Sequence, residues 1–353
     1  MSLTNAVLSD LFPEAQGTPG ASVPVTGIAS DSRKVRPGSV FVALPGTKAD
    51  GMSFAAQAAA AGAAAVVGEG AAPGDLAVPF IRSADARRAL ALAAARFHRR
   101  QPEKVVAVTG TSGKSSVADF ARQLFAALGR ASASLGTLGL VTSTGAAYGS
   151  LTTPDPISLH ETLDRLAEDG IERLAMEASS HGIDQRRLDG VRLAAGGFTN
   201  LGRDHLDYHG TTEAYAAAKL RLFDTLLPSD APAVINADGP FADVFLEGVR
   251  SRGLRLMTTG RAGETLRLVE ARAAGFRQRL TVDAYGRRIA ADLPLLGAFQ
   301  VENALLAAGL VVAVEGEARA EEVLSHFTAL KGVSGRLERV GDIDGALCIV
   351  DYA

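Results

Sequence analysis

The sequence predicts an α/β protein: a small amino-terminal α/β domain, then a larger domain with a mostly parallel sheet flanked by helices. Three observations carry this. Beyond residue 104, short apolar runs alternate with helical stretches, the pattern that buries a parallel sheet under helices on both faces. A glycine-rich segment, Gly110-Thr111-Ser112-Gly113-Lys114-Ser115-Ser116, joins one apolar run to one amphipathic stretch. The first hundred residues carry their own shorter strand-like and helical runs, ahead of a polar, proline-containing break at Arg100-Gln101-Pro102-Glu103 that reads as a linker.

In chain order, strand-like runs occur at Val25–Ala29 and Val40–Leu44. An alanine-rich helical stretch follows from Ser53, then the short run Ala64-Ala65-Val66-Val67. Leu90, Leu92, Ala93 and Phe97 share one side of a helix over Ala84–Arg99. Lys104–Thr109 reads as a strand. Val117, Phe120, Ala121, Leu124, Phe125 and Leu128 recur at helical spacing over Ser116–Leu128, with Gly129 as the stop. Leu174–Ala178, Ala194–Thr199 and Pro232–Asn236 read as buried strands, and Ile157–Asp169, Thr212–Leu227 and Gln300–Val314 as helices. No internal repeat is evident. Ala346-Leu347-Cys348-Ile349-Val350 is a buried-strand pattern with no crossover helix after it to cover it. This run is expected to be poorly ordered or paired with another chain, and a third, Rossmann-like domain to be missing.

Composition bounds the function. A length of 353 residues suggests two or three domains, and 47% apolar with 21% charged residues is ordinary globular usage, against disorder, collagen or coiled coil. A net charge of −3 gives no global field to attract nucleic acid or anionic lipid. Cys348 is the single cysteine, so no intrachain disulfide forms. The amino end has acids and prolines in place of a basic signal-peptide region, and the apolar run Ala304–Val314 is too short to span a bilayer. A cytoplasmic monomer without nucleic-acid or membrane partners is the expectation.

The strongest chemical signal is the glycine-rich segment. Glycines let backbone N–H groups approach phosphate oxygens, the helix N-terminus adds positive potential, Lys114 reaches β/γ-phosphates and the Ser115 hydroxyl can bind Mg²⁺. Val108 stands where the full G-x-x-x-x-G-K-[ST] pattern has its first glycine, and the bland reading is a βα turn with an incidental lysine. Glu177, in Met176-Glu177-Ala178-Ser179-Ser180-His181-Gly182, ends an apolar strand, either as a Mg²⁺ or water ligand or as a solvent-facing acid. His205 and His209, with Asp204 and Asp207, lie in a segment bounded by Gly202 and Gly210; their chemistry alone leaves the metal open. Lys219 has Tyr215 and Phe223 four residues to either side. It either snorkels to water or is buried with a depressed pKa and reactive. Ser30-Asp31-Ser32-Arg33 and Pro45–Gly51 are polar loops after strands, fit to read a polar ligand or simply to turn.

Together these segments resemble the Mur ligases, ATP-dependent enzymes that add amino acids to the UDP-N-acetylmuramoyl peptide precursor of bacterial cell wall. The resemblance covers essentially the whole chain through DSRKVRPGSVFVALPG, GTSGKSS, LTTPD, MEASSHGIDQRRL, FTNLGRDHLDYHG, AYAAAKLRLF, FQVENALLAA, SGRLE and IVDYA, in that order. EASSHG, DHLDYHG and AAK are most similar to the members that extend UDP-MurNAc-L-Ala-D-Glu with meso-diaminopimelate or, in some bacteria, L-lysine. It implies ATP and Mg²⁺ as cofactors, with Gly110 to Ser116 cradling phosphate. It implies metal ligation by Ser115, Glu177, His205 and a Lys219 carbamylated by CO₂, whose carbamate offers oxygen where an ammonium cannot. Asn303 matches an adenine contact, and Arg336 and Asp351 match residues near ribose and phosphates. Ser30, Ser32 and Thr47-Lys48-Ala49 match the uridine-nucleotide site; Thr152, Thr153, Ser179, Gln185 and Arg187 match contacts to the muramoyl peptide.

The domains implied are 1–100 for the UDP moiety, 101–337 for ATP and 338–353 as the stub of a third. The phosphate loop departs from the commoner N-G-K-T-T by reading S-G-K-S-S, and Leu151 stands where some members have Asn. The resemblance further implies that this length folds and binds precursor but does not ligate. The alternatives are a folylpolyglutamate synthetase, which shares fold and chemistry, and a non-catalytic nucleotide-binding fragment.

Overall fold

The computed structural model describes residues 6–46, 50–147, 151–343 and 346–351, and they form two compact units. The first comprises Met1–Gln101, Asp155–Glu168 and Gln185–Val191; the second comprises Pro102–Pro154, Asp169–Asp184 and Arg192–Ala353.

In the first unit, β1 (Gly27–Ala29), β2 (Ser39–Val42), β3 (Ala65–Gly68) and β4 (Phe80–Arg82) form an all-parallel sheet in that order. Val40, Val42, Val66 and Val67 are fully buried, as a parallel sheet covered on both faces requires. The apolar run Val25–Ala29 is divided: Pro24–Val25 pairs with Ala6–Val7, while Gly27–Ala29 joins the main sheet. The alanine-rich stretch opens as a 3₁₀ turn, Gly51–Phe54, before the helix Ala55–Ala60. Helix α1 (Ala86–His98) is capped by the Asp85 carboxylate, which accepts from Arg88 N at 2.9 Å, a contact that satisfies one of the free N–H groups of the first turn. Its small apolar face packs with Leu8, Leu11 and Phe12. The helix Pro156–Glu168 belongs to this unit, and Arg100 pairs with its Asp164 at 2.8 Å.

The second unit is built on one eleven-stranded sheet. In chain order its elements are β5 (Lys104–Thr109), α2 (Lys114–Ala127), β6 (Ser132–Gly136), β7 (Gly139–Thr142), β8 (Gly145–Ala147), β9 (Arg173–Glu177) and β10 (Leu193–Phe198). Then come α3 (Thr212–Arg221), β11 (Pro232–Asn236), α4 (Ala242–Arg252), β12 (Arg255–Gly260), β13 (Leu266–Ala274), β14 (Arg277–Ala284), β15 (Arg287–Leu293) and α5 (Ala298–Glu315). The order across the sheet is β8-β7-β6-β9-β5-β10-β11-β12-β13-β14-β15. Pairing is parallel from β6 to β13 and antiparallel at both flanks. Strand β5, with the glycine-rich loop at its carboxyl end, therefore lies inside the parallel part, where open α/β sheets present ligands.

The predicted helix over Thr212–Leu227 ends its α-helical part at Arg221 and continues as a π-helical turn over Leu222–Leu226. The antiparallel flank from 266 to 293 was not read from the sequence. Its signal is period-two burial, with Leu266 and Leu268 inward on β13 and Leu280, Val282 and Ala284 on β14, joined by turns at Gly275 and Gly286. Helix α5 is longer than its apolar run suggested. By length and composition it could cross a membrane, the one such helix among the described residues. Most of it is buried, with Ala304, Leu305, Leu310 and Val311 at 0% exposure, packed against α2 and β10 to β12.

One expectation is corrected. The run Leu347–Val350, expected to be poorly ordered or to need another chain, finds its partner in this one. β16 (Glu338–Ile343) and β17 (Ala346–Val350) pair antiparallel, Glu338 opposite Val350 and Ile343 opposite Ala346. A strand so close behind in sequence needs no crossover helix.

A buried ion pair fastens α5 to β9. Arg173 Nε meets Glu315 Oε1 at 2.6 Å, with both side chains at most 5% exposed. Arg173 also reaches Glu103 at 2.9 Å, and Glu315 reaches Arg130 at 3.3 Å. Removing one partner of such a pair leaves a charge buried without compensation, a cost of about 3–5 kcal/mol. Glu315→Ala is expected to lower the urea midpoint of unfolding accordingly; a loss under about 1 kcal/mol would show that Glu103 and the Glu172 carbonyl satisfy Arg173 without Glu315.

Candidate active site

The glycine-rich loop leaves β5 and enters α2 with Gly110 at φ +144° and Gly113 at φ +87°, the latter in the left-handed region that an L side chain rarely adopts. A Cβ on Gly110 would run into the Thr199 hydroxyl, and one on Gly113 into the Asn303 amide oxygen. The residues after β10 clamp the loop. Thr111 N donates to Asn200 O at 2.8 Å, Ser112 N to Asn200 Oδ1 at 3.1 Å, and Thr199 Oγ1 to Ser112 O at 2.7 Å. Gly202 N donates to Thr111 Oγ1 at 2.8 Å.

Lys114 folds back over this loop. Its Nζ donates to Gly110 O at 2.9 Å and Thr111 O at 2.8 Å. Burial pushes its pKa down; the Glu177 and Asp204 carboxylates pull the other way, and Arg336 adds to the depression. Lys219, on α3, donates to the same Gly110 carbonyl at 2.8 Å, so two amines share one acceptor. Lys219 is 1% exposed, which decides against the snorkelling reading. Burial, followed by the Lys114 charge, pushes its pKa down to about 6, with Asp204 opposing. Such an amine is largely neutral, hence nucleophilic, near pH 7.

Glu177 is 2% exposed, not a solvent-facing acid. Its Oε1 accepts from Thr137 N at 2.7 Å and its Oε2 from Thr137 Oγ1 at 3.3 Å. Thr137 pairs with Thr152 at 3.0 Å, and Thr153 donates to Glu177 O at 3.0 Å while pairing with Ser179 at 3.1 Å. His205 has φ 52° and its backbone N–H donates to Asp204 Oδ1 at 2.8 Å. Its ring lies 4.8 Å from that of His181.

One cavity of about 490 Å³ gathers most of the second unit's candidates: Thr111 to Ser116, Thr152, Glu177, Ser179, His205, Asn303, Arg336 and Asp351. Lys219 is not among its lining residues and reaches the loop through Gly110 O. Asn303 Nδ2 donates to Gln300 Oε1 at 3.2 Å, Gln300 Nε2 to Arg336 O at 3.2 Å, and Leu337 N to Asp351 Oδ1 at 3.3 Å. Sequence reasoning did not select Thr137 or Phe299, which also line it. Thr137 stands directly after the carboxyl end of β6, the position where parallel sheets place ligand contacts.

The first unit has its own cavity, of about 540 Å³, lined by Ser30, Asp31, Ser32, Arg33, Phe54 and Gln57 among others. Ser32 Oγ donates to Gln57 Oε1 at 3.2 Å. The Arg33 guanidinium holds the Asp31 carboxyl at about 2. Gln185 and Arg187 belong to this unit and bond each other at 2.7 Å. Thr47, Lys48 and Ala49 lie outside the described residues.

The donor set fits magnesium. The Ser115 hydroxyl and the fixed Glu177 carboxylate are hard oxygen donors facing the cavity that holds the phosphate loop. Mg²⁺ is typically held by one or two carboxylates plus phosphates and water. Among the described residues no group of three or more His, Cys, Asp and Glu side chains is placed to hold a metal ion, as a closed zinc site would need.

Residues 24–98 match the family described as "Mur ligase family, catalytic domain", and residues 108–311 match "Mur ligase middle domain". The chain is 55% identical over 337 residues to the UDP-N-acetylmuramoyl-L-alanyl-D-glutamate--2,6-diaminopimelate ligase of Bradyrhizobium diazoefficiens, covering 94% of this chain and 69% of that one. The protein of the same name from Mesorhizobium japonicum is 54% identical over 348 residues, covering 98% and 71%. A solved structure of a UDP-N-acetylmuramoyl-L-alanyl-D-glutamate--2,6-diaminopimelate ligase superposes with a TM-score of 0.86 at 29% identity, covering 99% of this chain and 71% of that one.

Proposed function

We infer that this chain, which belongs to the Mur ligase family, is an ATP-dependent ligase that joins diaminopimelate to UDP-MurNAc-L-Ala-D-Glu in cell-wall precursor synthesis. The observation that carries the reading is the pair Lys114 and Lys219 on one carbonyl of the phosphate loop, with Lys114 and the fixed carboxylate Glu177 lining one cavity. The γ-carboxylate of D-Glu attacks the ATP γ-phosphorus, giving an acyl phosphate and ADP. The amine of the incoming amino acid then attacks the acyl carbon and releases phosphate.

Phosphoryl transfer asks mainly for alignment and charge neutralisation. The loop's N–H groups at the head of α2 receive phosphate oxygens. Lys114, held by two carbonyls of its own loop, exchanges them for the β/γ-oxygens. Mg²⁺, when bound, neutralises the triphosphate beside Ser115 and Glu177, with His205 and a carbamylated Lys219 as further ligands. Asn303 meets the base; Arg336 and Asp351 meet ribose and phosphate. Thr152, Thr153 and Ser179 contact the muramoyl peptide. The uridine nucleotide takes the Ser30 and Ser32 cavity. Residues 1–100 thus serve UDP and residues 101–337 serve ATP, in a cytoplasmic monomer. Diaminopimelate is preferred to L-lysine because the relatives at 54–55% identity carry diaminopimelate in their names.

The test is phosphate release with ATP, Mg²⁺, UDP-MurNAc-L-Ala-D-Glu and either diamino acid, by residues 1–353 and by a protein as long as the relatives. Residues 1–353 are expected to bind precursor without release, and the longer protein to release phosphate only with all components and with diaminopimelate. Turnover with L-lysine alone would reassign the acceptor, and nucleotide binding without any acceptor-dependent release would leave a binding module.

A further inference from the structure

We propose that Tyr215 is a positioning residue: its hydroxyl on Thr111 keeps the phosphate loop in register with Lys219. The proposal rests on reading this cavity as the ATP site. Tyr215 and Lys219 are four apart on α3, so they share one helix face. Lys219 Nζ stands 4.2 Å from the centre of the Tyr215 ring and donates to Gly110 O. The Tyr215 hydroxyl lies 3.2 Å from Thr111 Oγ1. Two consecutive residues of the loop are thereby pinned by two successive turns of one helix.

The pinning has a chemical rationale. Tyr215 is 1% exposed, and phenylalanine would fill the same apolar volume. A buried hydroxyl is costly unless it is paired, and the partner the structure gives it is Thr111. Thr111 Oγ1 already accepts Gly202 N–H at 2.8 Å, and a hydroxyl has the capacity for both bonds at once. The bridge therefore joins α3, the loop and the 199–202 segment. Any displacement of α3 carries Lys219 and the loop together, so phosphates seated on the loop keep a fixed relation to Lys219. Alignment at this scale is what phosphoryl transfer depends on.

The experiment is a double-mutant cycle on the whole protein with Tyr215→Phe, Thr111→Val and both together, reading KM for ATP and kcat. Tyr215→Phe is expected to raise KM for ATP about three- to tenfold, the worth of one hydrogen bond, Thr111→Val at least as much because it also loses the acceptor of Gly202 N–H, and the double variant to be no worse than Thr111→Val alone. Amide exchange over 110–116 in the free protein is expected to quicken in Tyr215→Phe. A merely structural role gives independent effects, so multiplication of the two factors in the double variant overturns the proposal. So does a KM for Tyr215→Phe within twofold of wild type, or unchanged exchange. Thr111→Val supplies the same test from the other end of the bridge should Tyr215→Phe fold poorly. Wild type without ATP-dependent turnover would sink the nucleotide reading and this role with it; wild-type turnover with an unperturbed Tyr215→Phe sinks the role alone.

Discussion

Lys114→Ala is expected to abolish ligation while the protein stays folded. The side chain makes two hydrogen bonds, both to carbonyls of its own loop, and Gly110 O keeps Lys219 as a donor after the change. Loss of stability should therefore stay near 1 kcal/mol. Activity has no such reserve. Charge on the γ-phosphoryl group is met inside a cavity by few donors, and removing one preorganised donor typically costs about 10²–10³ in kcat. Lys114→Arg should not rescue, because a planar guanidinium cannot take the place of a compact ammonium against two carbonyls and a turn of helix. Phosphate release and ATP calorimetry on folded variant protein check this. Near-normal ATP affinity and turnover would mean that the loop is a βα turn and its lysine incidental.

The parallel core was legible because buried parallel strands are short apolar runs and their helices carry a 3.6-residue stripe; Lys104–Thr109 and Pro232–Asn236 coincide with their predicted spans. The antiparallel flanks were harder. Strands β13 to β15 alternate inward Leu or Val with outward Arg or Asp, which lowers their mean apolarity to that of a loop. The division of Val25–Ala29 between two sheets turns on backbone bonding at Thr26, whose N–H is taken by Gly38 O, and no side chain announces it.

The candidate site divides in the same way. The glycine-rich loop could be read residue by residue because its chemistry is local to seven positions. Lys219 could not, since its meaning depends on burial and on a second lysine 105 positions earlier that shares its acceptor. Spacing showed only a lysine on an apolar helix face, and that pattern more often snorkels. Thr137, which orients Glu177 through its N–H and hydroxyl, is an unremarkable threonine in sequence and becomes visible only through the strand pairing that brings β6 beside β9.

Lys219 carries the second large effect. A surface lysine near 10.5 is about 0.1% neutral at pH 7.5, whereas an amine near 6 is more than about 90% neutral. The neutral amine adds CO₂, forming an N–C bond and releasing one proton, and the product carbamate is an anion. Carbamate loading, read as a ¹³C signal from labelled bicarbonate, is expected to rise through about pH 6 and to vanish in Lys219→Ala. Turnover should fall with it by at least about 10², and a short-chain carboxylate in solution should restore part of it. Stability should also depend on pH through this group. The folded pKa lies below the unfolded 10.5, so between about 6 and 10.5 the unfolded chain binds more protons, and stability rises with pH across that window and is lowest below it. Lys219→Met removes the buried amine and should be more stable than unmodified wild type at pH 7, by on the order of a few kcal/mol, with a flatter dependence on pH. A variant that is less stable and still active would place the importance of Lys219 in its bond to Gly110, and a wild type without the ¹³C signal at pH 8 would remove the carbamate altogether.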